Sequence, residues 1–142
     1  MRVLAIDVGQ RRIGLAISDP SGTLARPLAT LAVTPADALN RVAHEIANLA
    51  AEDEGISEIV VGLPMRLDGT PNDQTAHVSA FIAALRMRTS IPIYTADERL
   101  TSREAERLLA VGERDWRKRK KRLDAAAAAI FLQEYLDHDK QT

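Results

Sequence analysis

Apolar residues fall along this chain in two rhythms. Near the start they come as short runs: Val3 to Val8, interrupted only by Asp7, then Ile13 to Ile17, then a looser alternation from Leu24 to Val33 with Pro27 inside it. Runs of this length predict buried strands, and the Gly-containing link GQRR predicts a hairpin turn. Such short connections imply antiparallel neighbours.

The period changes at Thr34. Thr34-Pro35 supplies an N-cap and a proline at the first helical position, and Leu39, Val42, Ile46 and Leu49 follow at helical spacing up to Gly55. A fourth strand is expected from Glu58 to Leu63, closed by Pro64. Thr70-Pro71 then opens a second helix with Val78, Phe81, Ile82 and Leu85 on its apolar face. A fifth strand is expected over Ile91 to Ala96. Thr101-Ser-Arg-Glu104 matches a capping box for a third helix reaching Val111, and an alanine-rich last helix is expected from Leu123 to Leu136. Hairpin strands followed by strand–helix–strand units predict an α/β fold, a mixed five-stranded sheet flanked by helices.

Length suits one domain over residues 1–142. Cysteine is absent, which excludes disulfides and thiolate metal sites. No apolar run approaches the ~20 residues a bilayer span needs, and the start of the chain reads as a strand, not a signal peptide. A cytoplasmic protein without a membrane partner is the expectation. The formal net charge of −1 hides an uneven layout. RDWRKRKKR, from Arg114 to Arg122, holds seven of the 19 basic residues and one acid, +6 against −7 for the remainder.

Three carboxylate positions are costly. Asp7 shares a strand face with Val3 and Ala5, Asp97-Glu98 follows the fifth strand, and Asp124 falls between Phe131 and Tyr135 on the apolar side of the last helix. Gln133 and Asp137 point the other way. Parallel first and fifth strands would end on one sheet edge, against which the last helix packs. Carboxylates crowded there raise one another's pKa unless cations compensate. Oxygen ligands without cysteine or clustered histidine suit Mg²⁺ or Mn²⁺. Each acid also has an ordinary reading: Asp7 as a turn former, Asp97-Glu98 as loop acids and Asp124 as a helix N-terminal acid.

The segments DVGQRRIGLAISD, VVGLPMRLDGT, YTADERLTS and KKRLDAAAAAIFLQEYLD together resemble the YqgF/RuvX family of RNase H-like nucleases, relatives of the RuvC Holliday junction resolvase. The likeness covers essentially the whole chain, with the four motifs in order. It implies an RNase H-like fold and a catalytic acidic triad at Asp7, Glu98 and Asp124, with Asp97 structural. It also implies processing of the precursor of small-subunit (16S) ribosomal RNA, with junction resolution as the alternative. Under that reading two Mg²⁺ or Mn²⁺ ions are bridged by Asp7, and Glu98 and Asp124 each complete one shell.

Arg11 and Arg12 follow Asp7 in the turn and offer guanidinium forks to phosphate, or form a solvated hairpin turn. Arg114, Arg117, Lys118, Arg119, Lys120 and Lys121 precede Asp124 and would hold the nucleic-acid backbone. Trp116 would stack on a base or pack into the core. Thr101 and Ser102 serve as caps, and His44, His77 and His138 read as ordinary positions. The expected partner is a ribosomal RNA precursor or branched DNA, with oligomeric state left open. Two rivals stand beside a nuclease: one half of an ATP-binding domain of the actin and sugar-kinase type, and a nucleic-acid-binding module without catalysis.

Overall fold

Gly9 decides how the chain first turns back. Its N–H donates to the Arg12 carbonyl at 2.9 Å, and a Cβ there would stand 2.5 Å from that same oxygen. The link therefore closes around glycine. It joins β1 (Arg2–Val8) to β2 (Arg12–Ser18), antiparallel from Leu4↔Ile17 to Val8↔Ile13. The computed structural model describes residues 1–66, 68–97 and 116–140, with the side chains of 97, 116–124 and 139–140 outside that description.

β3 (Ala25–Ala32) pairs antiparallel with β2, and its register shifts where Ala16 meets Pro27. A proline without an N–H suits this edge strand. β4 (Ile56–Leu63) and β5 (Ile93–Asp97) run parallel to β1, giving the order β3-β2-β1-β4-β5 with β1 at the centre. The expected mixed five-stranded sheet is thus present. β5 starts at Ile93, not Ile91, because Pro92 has no N–H to give the ladder; its carbonyl still accepts the Ile59 N–H at 2.9 Å.

The two faces of β1 are unlike. Leu4, Ile6 and Val8 join Ile13, Leu15, Ile17, Ile59, Val61 and Ile93 beneath α1 (Ala38–Ala50) and α2 (Asp73–Arg86). Those helices contribute Val42, Ile46 and Leu49, and Val78, Ile82 and Leu85. The other face carries Val3, Ala5, Ala16 and Val60 against Ala128, Phe131, Leu132 and Leu136 of α3 (Trp116–Lys140). Small side chains on the sheet let an alanine-rich helix lie close. Full burial of Phe131 and Leu132 contributes about 1.5–3 kcal/mol each.

Helix starts differ from expectation for local reasons. Thr34 makes cap-like bonds, accepting the Asp37 N–H at 3.2 Å while its own N–H donates to the Asp37 carboxylate at 2.6 Å. Regular helix nevertheless begins at Ala38. For α2 the cap is Asn72, not Thr70: the Thr70 hydroxyl and N–H are both committed to the Asp68 carboxylate, at 2.7 and 2.9 Å. Asn72 and Thr75 form a capping box, and the Thr75 hydroxyl donates to the Pro64 carbonyl at 2.6 Å, stitching the end of β4 to the start of α2.

The largest correction concerns the last helix. It starts at Trp116, so the run from Trp116 to Arg122 forms its first turns, continuous with Asp124. Lysine and arginine are good helix formers, and their mutual repulsion did not outweigh that preference. The helix expected from Thr101 to Val111 lies outside the described residues. Arg2, which the hydrophobic pattern did not single out, is 5% exposed. Its guanidinium donates to the Gly55 and Leu49 carbonyls and pairs with Glu52 at 2.7 Å, binding the start of β1 to the end of α1. No described helix is long and apolar enough to cross a membrane.

Candidate active site

Asp7 is the next-to-last residue of the central strand and is half-buried. Strand alternation sets it on the face of Val3 and Ala5, the side covered by α3. Its neighbour on β2 is Gly14. One step beyond Ile6↔Val61, the β1–β4 register brings Gly62 level with Asp7, and Gly62 in turn pairs with Ala96 of β5. Asp7 therefore stands in a lane whose flanking strands carry no side chain beside it. The hydrophobic pattern pointed to Asp7 but not to the lane, which becomes visible only once the pairing register is known.

Two side chains, Gln133 and Tyr135, anchor α3 over this face. The Gln133 side-chain carbonyl accepts the Ala25 N–H at 2.9 Å, and its amide donates to the Thr23 carbonyl at 2.9 Å and to Asp137 at 3.1 Å. The Tyr135 hydroxyl donates to the Glu58 carboxylate at 3.2 Å. Ala25 begins β3, and Glu58 pairs with Val3, so both anchors grip the sheet edge where β1 begins. Gln133, expected on the side away from Phe131 and Tyr135, thus reaches the margin of the sheet. Asp124 occupies the helix position four residues before Ala128 and seven before Phe131, in line with these buried residues.

Glu98 and Arg114 lie outside the described residues, as do Thr101 and Ser102. Arg117, Lys118, Arg119, Lys120 and Lys121 lie on the first turns of α3, and their side chains, like that of Trp116, are outside the description. Arg11 is exposed at the tip of the β1–β2 turn, and Arg12, half-buried, opens β2. The Arg11 carbonyl accepts the Val33 N–H at 2.9 Å, which holds the turn against the end of β3. Both arginines therefore sit at the edge where β1 ends, close in sequence to Asp7. Among the described residues no three acidic or histidine side chains gather as a metal site.

A carboxyl with a clearly lowered pKa lies elsewhere. The Ser21 hydroxyl and the N–H groups of Leu24 and Thr23 lower Asp19 to about 2. That carboxylate shapes the exposed turn between β2 and β3, at the edge opposite Asp7.

Comparison with known proteins bears on the whole chain. A relative from Roseiflexus sp. (strain RS-1), named "Putative pre-16S rRNA nuclease", is 41% identical over 140 residues, covering 98% of this chain and 96% of the relative. A relative of the same name from Maridesulfovibrio salexigens is 43% identical over 136 residues, covering 96% of this chain and 98% of its own. Among solved structures, T. thermophilus RuvC in complex with a Holliday junction substrate superposes with a TM-score of 0.58 at 15% identity, over 99% of this chain and 96% of that one. That likeness speaks for the RNase H-like fold. With its family model matched over residues 1–138, the chain belongs to the RuvX family, described as Holliday junction resolvase.

Proposed function

We propose that this protein is a divalent-metal-dependent nuclease that cleaves phosphodiester bonds in the precursor of small-subunit ribosomal RNA. The observation that carries this reading is Asp7: a carboxylate near the end of the central strand, flanked by Gly14 and Gly62 on the adjacent strands, on the face covered by the helix that bears Asp124. Substrate class follows from the relatives, which are about 40% identical over nearly their whole length and named for pre-16S rRNA.

The residues fit a hard cation. Asp7 offers oxygen ligands only, the chain has no cysteine, and the flanking strand positions, Gly14 and Gly62, carry no Cβ. Asp7, Glu98 and Asp124 would hold Mg²⁺ or Mn²⁺, supplying Lewis acidity and an activated water to phosphodiester hydrolysis. The protein's own part is to fix these carboxylates on rigid elements and to gather cations around the phosphate. Asp7 is held by pairing on both sides of β1, and Asp124 by a helix anchored through Gln133 and Tyr135. Arg11 and the basic first turns of α3 would neutralise phosphate charge. Cytoplasmic action and a single domain accord with this role.

The test is direct. Purified protein with Mg²⁺ or Mn²⁺ is offered fragments of pre-16S rRNA and four-way DNA junctions in parallel, with Asp7→Asn as control. Metal-dependent cleavage of the RNA, absent from the control, is expected. Cleavage confined to the junction would transfer the activity to DNA resolution, and binding of both without cleavage would leave a binding module.

A further inference from the structure

On the other side of the sheet edge from Asp7 lies a cavity of ≈ 450 Å³, between the end of β1, the start of α1 and the His77–Phe81 stretch of α2. Val8, Ala38, Leu39 and Phe81 give it an apolar floor continuous with the large core, while Gln10 and His77 stand at its exposed rim. His77 and Phe81 are four residues apart on α2 and so share one helix face. Two ring-bearing side chains, an apolar floor and one amide at the mouth match the chemistry of a nucleobase: two π-faces and an edge of donors and acceptors. The volume falls in the lower part of the ~300–1,000 Å³ typical of small-ligand pockets, room for one flat heterocycle and its sugar.

Position makes the match specific. Gly9 and Gln10 of the cavity wall follow Asp7 by two and three residues, at most about 7–10 Å along the chain. The exposed Arg11 comes next. A strand draped over this edge, with a phosphate at Asp7 on the α3 side, has its adjacent nucleotide beside the cavity on the α1–α2 side. We infer that the cavity is a subsite for a single unpaired nucleobase next to the scissile phosphate. The inference rests on the nuclease reading for its substrate and adds what that reading lacks: a requirement for an unstacked base at one fixed step from the cleavage position. A base held in a duplex cannot enter, so the site selects single-stranded or splayed substrate.

The probe is a single-stranded RNA of about twelve nucleotides, within the span of one binding groove, carrying 2-aminopurine at each position in turn. Bound to the wild-type protein without added divalent ion, the fluorophore is expected to show a sharp emission change at one position, or two adjacent ones, and not elsewhere. His77→Ala removes an exposed wall, and Ala38→Phe fills the cavity from within. Both should abolish that local signal and weaken binding of the RNA about five- to tenfold, the share of one stacked base. Circular dichroism checks that each variant is folded. A signal absent at every position, or one unchanged in both variants, overturns the subsite. Cleavage of the same RNAs with Mn²⁺ reads the parent proposal separately. A local signal without cleavage refutes the nuclease and keeps the base subsite; cleavage without a local signal refutes the subsite alone.

Discussion

Gln133 accepts the backbone N–H of Ala25 at 2.9 Å, so a helix side chain completes the first hydrogen bond of an edge strand. The same amide donates to the Thr23 carbonyl just before that strand. Together with Tyr135, this residue fixes how far along the sheet α3 sits. Gln133→Ala strips two backbone groups of their partners. Unfolding in urea should show a loss of about 1 kcal/mol, since the Ala25 N–H is half-buried and the Thr23 carbonyl is exposed to water. Cleavage should fall further than that loss of folded protein explains, because the helix carrying Asp124 loses an anchor. Unchanged stability would mean that water replaces the amide without cost.

Asp7→Asn keeps shape and removes charge. Metal-dependent cleavage should drop by at least about a hundredfold, while affinity for RNA persists. If Glu98 and Asp124 converge on this position as proposed, stability of the metal-free protein should hold or rise, since one of three like charges is removed. Wild-type cleavage by a clean preparation of this variant would remove Asp7 from the mechanism.

The lane beside Asp7 makes its own prediction. Gly14→Val places a branched side chain on the strand next to the carboxylate, at a position where β propensity favours valine over glycine. The variant should fold, yet bind Mn²⁺ more weakly and cleave more slowly than wild type in a metal titration. Equal metal dependence would show that the ions lie away from this lane.

Neutralising Arg117, Lys118, Arg119 and Lys120 would remove up to four of the phosphate contacts proposed for the first turns of α3. Each contributes roughly 0.7–0.9 to the slope of log affinity against log salt. The variant should bind RNA more weakly at low salt, with a visibly shallower slope, and should retain metal binding. A wild-type slope would assign the phosphate contacts to Arg11 and Arg12 instead.

Asp19 provides a pH test far from the site. Its carboxyl is lowered from the ordinary 3.8 to about 2 by the Ser21 hydroxyl and the Leu24 and Thr23 N–H groups. The folded state therefore favours the ionised form. The contribution is fully present above the unfolded value and is lost as pH falls through the folded one. Wild type should exceed Asp19→Asn in stability at neutral pH, and the difference should shrink between about pH 4 and pH 2. A difference constant across that window would mean that the turn is held by its backbone alone.

Local signals in the sequence were read well where the physics is local. Val3–Val8 and Ile13–Ile17 each form a strand, since an unbroken apolar run beside a glycine turn has few alternatives. Boundaries failed where one side chain had two suitors: Thr70 could cap α2, but Asp68 holds its hydroxyl. The last helix, expected from Leu123, also includes Trp116 to Arg122: charge density is visible in a sequence and helical continuity into Asp124 is not. For the site, Asp7 stood out as a carboxylate among apolar neighbours. The glycine lane, the Gln133 anchor and the cavity at His77 and Phe81 depend on which strands and helices meet. Those contacts join residues far apart in the chain, and no periodicity encodes them.

β1 separates two walls of different calibre, with Leu4, Ile6 and Val8 toward α1 and α2 and Val3, Ala5 and Asp7 toward α3. This makes the strand self-checking during folding. Slippage by one residue would push leucine and isoleucine into the thin layer under α3 and strand the carboxylate in the thick hydrocarbon layer. Both faults are costly at once, one through crowding and one through desolvation. A misaligned β1 is thus rejected by the same residues that would have made it inactive, and a chain that completes its core has already aimed Asp7.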